Sequence, residues 1–98
     1  MPDPRIFPIV AYEDTFATVG AVSTLVRAGN RRRVFCQFVN TGDEVCYLSE
    51  GNAAVMGSGD AIYPSGVARI ETDNMFYGEI YAICESGDLN LAISEGSN

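Results

Sequence analysis

Apolar and polar side chains alternate along this chain with a period of two, and clusters of turn residues interrupt the alternation roughly every 8–12 positions. That period places successive side chains on opposite faces of an extended backbone, as a half-buried strand requires. From Phe16 onward it runs through 21–27, then breaks at Ala28-Gly29-Asn30. It resumes through 34–39, closes at Asn40-Thr41-Gly42-Asp43 and returns through 45–48. A loop with Gly51, Gly57 and Gly59 follows, then short stretches at 61–63 and 67–70 hinged by Pro64-Ser65-Gly66. The last two, 79–84 and 89–93, meet at Ser86-Gly87-Asp88. Six to eight short strands so spaced predict an all-β fold, a small antiparallel β-sandwich or barrel. The one helix-like stretch, Asn52 to Met56, is long enough for a single turn.

The first fourteen residues read differently. Pro2, Pro4 and Pro8 forbid a regular helix and favour extended backbone. Yet Ile6, Phe7, Ile9, Val10 and Tyr12 are more apolar surface than a solvated tail needs. Such a segment is either a first strand on its own domain or an arm across a neighbouring subunit. The division expected is an extended Pro-rich arm over 1–14 and a single domain over 15–98. Its candidate partner-binding residues are Pro4, Ile6, Phe7, Ile9, Val10 and Tyr12.

Composition narrows the function. The 98 residues hold thirteen acidic side chains and six basic ones, for a net charge of −7. All six cations are Arg; Lys, His and Trp are absent. No Schiff-base amine, P-loop lysine, Ser-His-Asp triad, Cys-His pair or imidazole metal ligand is available. Binding to nucleic acid needs clustered positive charge that this balance does not supply. No apolar run approaches a membrane span, and no signal peptide opens the sequence. The expectation is a non-enzymatic module with no cofactor, metal, small-molecule substrate, nucleic acid or membrane partner.

Cys36, Cys46 and Cys84 lack CxxC spacing and sit in apolar stretches, so they read as buried free thiols. The carboxylate pairs Glu13-Asp14, Asp43-Glu44 and Glu71/Asp73 lack the aromatic walls of a glycosidase cleft and the spacing of a calcium loop. Glu79, Glu85 and Glu95 read as a solvated face of the last hairpin.

Half the positive charge lies in Arg31-Arg32-Arg33. In so acidic a chain this run is either a solvated turn or a group pairing with carboxylates, its own or those of a partner or neighbouring copy, since the guanidinium fork binds carboxylates bidentately. All three arginines join the candidate partner-binding set. Phe35 and Gln37 alternate with Cys36 and Phe38, so this strand carries a ring on each face, one for the core and one for a second sheet or an interface. Tyr47, Tyr63, Tyr77 and Tyr81 add rings of the kind enriched at contacts.

Taken in order, these pieces resemble a small domain of tailed-bacteriophage virion proteins. The resemblance covers 21–96: Asn30-Arg31 at the start of a strand, a strand ending in Asn40, Tyr47-Leu48, and a loop with Gly51, Ala54 and Gly57. Ile62-Tyr63-Pro64-Ser65-Gly66, then Tyr77 to Ile83, and Leu89 to Gly96 complete it. It implies a β-sandwich structural protein of the virion, assembled in the host cytoplasm. The leading expectation is a capsid decoration or cement protein that contacts the major capsid protein, copies of itself, or both, as a homo-oligomer and a trimer by choice of symmetry. A head–tail adaptor, connector or tail-associated protein is the alternative, and a carbohydrate-binding module a distant one. The acidic surface suits the outside of a shell, away from packaged DNA.

Overall fold

A computed structural model describes residues 11–71 and 73–98. Among them are eight strands and no helix: β1 (Ala11–Val19), β2 (Thr24–Arg27), β3 (Arg33–Asn40), β4 (Cys46–Glu50), β5 (Asp60–Ile62), β6 (Val67–Ile70), β7 (Ile80–Cys84) and β8 (Leu89–Ser97). They form two antiparallel four-stranded sheets, in the orders β1-β8-β3-β6 and β2-β7-β4-β5. The all-β fold expected from the alternation is present, and of the two forms, sandwich or barrel, it is the sandwich.

The alternation decides which side chains meet between the sheets. Leu89, Leu91 and Ile93 of β8 point inward with Cys36 and Phe38 of β3, and Phe38 lies opposite Ile93. From the other sheet, Ile80, Ala82 and Cys84 of β7 face them, with Leu48 opposite Ala82 and Cys46 opposite Cys84. Val19, Val26, Ile62 and Ile70 complete the core. Each fully buried Leu or Ile contributes about 1.5–3 kcal/mol.

The boundary expected at residue 14 lies inside a strand. Ala11 to Asp14 open β1 and pair with Ser94 to Ser97 of β8, in one unbroken register that ends at Val19 opposite Leu89. Backbone pairing and polar side chains hold this half of β1, since Ser94 Oγ donates to Asp14 Oδ1 at 2.6 Å and Arg27 bonds Glu13. Tyr12 therefore belongs to the sheet. Pro4, Ile6, Phe7, Ile9 and Val10 lie outside the described residues.

The stretch from Asn52 to Met56 forms no helical turn. Ala54 is buried, and its N–H donates to Ser23 Oγ at 2.8 Å, which ties this loop to the start of β2. Gly59 closes the loop with φ +86°, where an added Cβ would stand 2.2 Å from the Leu48 carbonyl oxygen.

The pairing registers place 28–32, Glu71, 73–79 and the start of β1 at one end of the sandwich. Segments 20–23, 41–45, 63–66 and 85–88 gather at the other. Asn40, fully buried, organises this second end: its Nδ2 donates to the Glu44 and Ile62 carbonyls at 2.7 and 2.8 Å. Its Oδ1 accepts the Gly42 N–H at 2.9 Å.

Candidate partner-binding surface

The turn that carries the arginine run is keyed by Asn30. Its N–H donates to the Tyr77 carbonyl at 2.7 Å, its Nδ2 donates to Ser97 Oγ at 2.7 Å, and its Oδ1 accepts the Arg32 N–H at 3.0 Å. An asparagine that bonds backbone two residues on is the usual device for such a turn. Arg31 and Arg32 are thereby left exposed. The Arg32 carbonyl accepts the Asn98 N–H at 2.9 Å, and Ala11 lies opposite Ser97. Arg31, Arg32 and the start of β1, with Tyr12 exposed upon it, are gathered at one end of the sandwich.

Arg33 is not part of that surface. Its side chain is fully buried, and Nε donates to Glu95 Oε2 at 2.6 Å. Nη1 donates to the carbonyls of Phe76 and Gly78 at 2.7 and 3.1 Å, and Nη2 to that of Ala28 at 2.8 Å. The carboxylate that this arginine pairs with is its own chain's. A register shift between Arg33 and Phe35, where β3 meets β8, turns Arg33 inward, against the strict alternation that would set it beside Phe35.

Glu95, expected on a solvated face, is likewise buried. It takes Arg33 on one oxygen and Arg27 on the other, with Arg27 Nε and Nη2 donating to Oε1 at 3.0 and 2.7 Å. Arg27 Nη2 also donates to Glu13. Burial alone would push the Glu95 carboxyl up, but the hydrogen bonds and charges of Arg27 and Arg33 outweigh it and hold the group below its ordinary value. Burial would lower Arg27, and its two carboxylate partners more than reverse this. Two guanidiniums and two carboxylates sum to zero, so this cluster is paired within itself and clasps β1, β2, β3 and β8 together. Beside it lie two open depressions, about 450 Å³ next to Arg27, Asn30 and Glu95, and about 250 Å³ between Tyr12, Glu13 and Ser97. Every buried side-chain polar atom among the described residues has a hydrogen-bond partner.

The broad surfaces of the molecule are the outer faces of its sheets. On the sheet containing β1, the registers align Phe16, Ala92, Val39 and Val67 in one row across all four strands. The next row is Asp14, Ser94, Gln37 and Arg69, with Arg69 Nε donating to Gln37 Oε1 at 2.8 Å. Tyr12, Gly96 and Phe35 form a third. Phe16 is 67% exposed, Tyr12 55% and Val67 46%, so this face is largely apolar and open. Phe35 is the outward ring of β3, half-buried on this face. On the opposite sheet Tyr47 lies beside Ile83 and Ala61, and Tyr81 lies between Leu25 and Ser49. Tyr63 and Tyr77 are exposed in loops.

At the far end, Glu44 accepts from the Ser86 hydroxyl and, at 2.9 Å, from the Ser86 N–H. These bonds lower its carboxyl from 4.5 to about 2. The three cysteines are free and buried. Burial pushes the Cys36 and Cys46 thiols up to about 11 and raises Cys84, whose Sγ donates to the Val19 carbonyl at 3.3 Å. Among the described residues no group of three or more His, Cys, Asp or Glu is placed to hold a metal ion, and no helix is long and apolar enough to cross a membrane. Comparison with family models, with curated proteins and with solved structures gives no match.

Proposed function

We propose that this chain is a non-catalytic structural subunit of a tailed-phage particle, a decoration protein that binds the outer shell and bridges its subunits. The observation that carries this reading is the gathering of contact groups at one end of the sandwich. Arg31 and Arg32 are exposed there beside the start of β1, the point from which Pro4, Ile6, Phe7, Ile9 and Val10 precede the described strand. A turn with two exposed guanidiniums beside the open edge of β1 is suited to a protein surface that presents carboxylates. The lack of Lys and His, the exposed apolar side chains on the sheet containing β1 and the open form of the depressions favour contact with protein over turnover of a small substrate. The net charge of −7 disfavours a place among packaged DNA.

Peptide counting by mass spectrometry on gradient-purified particles from cells carrying the gene tests the reading. A decoration protein is present at on the order of hundreds of copies per particle, as a repeated shell symmetry requires. About a dozen copies would identify a connector ring instead. Absence from particles overturns both. In the same assay Arg31→Ala/Arg32→Ala is expected to lower occupancy while the domain stays folded.

A further inference from the structure

We propose that the outer face of the sheet containing β1 is a two-fold interface with a second copy of this chain. The argument is one of self-complementarity. Asp14 and Arg69 stand at opposite edges of a single cross-strand row, on β1 and β6, with Ser94 and Gln37 between them. Phe16 and Val67 occupy the corresponding edges of the neighbouring row. A two-fold axis lying in the face and running near the strand direction reverses each row and keeps its level. It sets Asp14 of one copy on Arg69 of the other, and Arg69 on Asp14, so two ion pairs form. The same operation sets Phe16 on Val67, and Ala92 on Val39. An isologous interface demands this pattern, in which one residue meets another and the second meets the first. Inclining the axis by about 15° to the strands gives the crossing of about 30° at which twisted sheets stack. A three-fold rotation brings no such edges together, so the pairing favours a dimer over the trimer that a shell site first suggests.

The exposed apolar side chains supply the driving force. Phe16, Val67 and Tyr12 are each about half exposed or more. Four strands and six residues of length span about 19 by 20 Å. The face is therefore small, on the order of 400 Å² per copy in projection, toward the weak end of specific contacts. Half-dimerisation is expected at tens of micromolar, to order of magnitude. The pairing does not depend on the virion reading, since it is a property of the isolated chain in solution.

Sedimentation velocity of the full chain over about a hundredfold concentration range tests it. The wild-type chain is expected to pass from monomer to dimer, and Phe16→Glu to remain monomeric with an unchanged far-UV spectrum. Asp14→Arg and Arg69→Asp each place like charges together at two symmetry-related points and weaken the dimer about tenfold. Asp14→Arg/Arg69→Asp restores it to within about threefold, because the two partners are exchanged together. General charge repulsion gives a different result: Asp14→Arg lowers the net negative charge and would tighten association, while Arg69→Asp raises it and would weaken association. A dimer insensitive to Phe16→Glu, a single swap without effect, or a double swap without recovery overturns the proposal. So does a trimer, or a chain that stays monomeric over the whole concentration range.

Discussion

Arg33 Nε donates to Glu95 Oε2 at 2.6 Å with both side chains withdrawn from solvent. Removing either member strands a buried charge, so Arg33→Ala and Glu95→Ala are each expected to cost about 3–5 kcal/mol in urea denaturation. Replacing both, as Arg33→Met/Glu95→Met, recovers only part of the loss. The carbonyls of Ala28, Phe76 and Gly78 lose their donor, at about 1–3 kcal/mol for each left unsatisfied.

Stability falls on the acid side, and two carboxylates set where. Glu95 and Glu44 both titrate lower in the fold than their ordinary value of 4.5. Each therefore adds stability that is complete above the unfolded value and is lost as pH falls through the folded one. For Glu44 that window runs from 4.5 down to about 2. Urea midpoints measured across this range should decline with acid, and Glu44→Gln should flatten the decline without abolishing it.

The thiols give an alkaline limb of opposite sign. Cys36 and Cys46 titrate at about 11 in the fold against an ordinary 9.0, so above 9 the unfolded chain releases protons that the folded chain keeps. Stability should drop as pH rises through that interval, and replacing Cys36 or Cys46 by Ala should remove part of the drop. At neutral pH a disulfide-exchange reagent should label none of the three cysteines until denaturant is added, when all three react.

Two glycines of one loop separate strain from collision. Gly57 has φ +79° with open space around it, so Gly57→Ala is expected to cost about 1 kcal/mol. Gly59 has φ +86° and the Leu48 carbonyl oxygen 2.2 Å from where a Cβ would stand. Gly59→Ala should cost about 3 kcal/mol or more, because backbone must move as well. Thermal melts of the two variants give the comparison directly.

The strands legible in the sequence are those whose alternation is apolar on the inward phase, as in 34–39, 80–84 and 89–93. β1 was not legible along its length, because its inward residues begin Ala11, Glu13, Thr15, and only Ala17 and Val19 resemble core. Glu13 is held by Arg27, a partner that periodicity cannot announce. The Arg33 side chain escaped for a related reason: a single register shift reverses its face, and nothing in Arg31-Arg32-Arg33 says which of the three turns in. Glu95 did leave a signal. It continues the inward phase of Leu89, Leu91 and Ile93, and an acid in that phase of a core strand calls for a buried cation. Asn30 was visible as turn chemistry, though its triple attachment to 77, 97 and 32 depends on contacts made by distant segments.

β8 lies between β1 and β3, and Ala11 and Arg33 both find Ser97 opposite them. This arrangement fixes a schedule. A ribosome that has finished β7 has delivered β3 and β6, which pair with each other, and β1, which has no strand to join it to them. β1 must wait, unpaired along its nine residues, until the last strand is made. Such long-range closure makes folding slow and leaves a strand edge open meanwhile. The first sheet therefore closes only once β8 is made, and until then the edge of β1 must be kept from pairing with neighbouring chains.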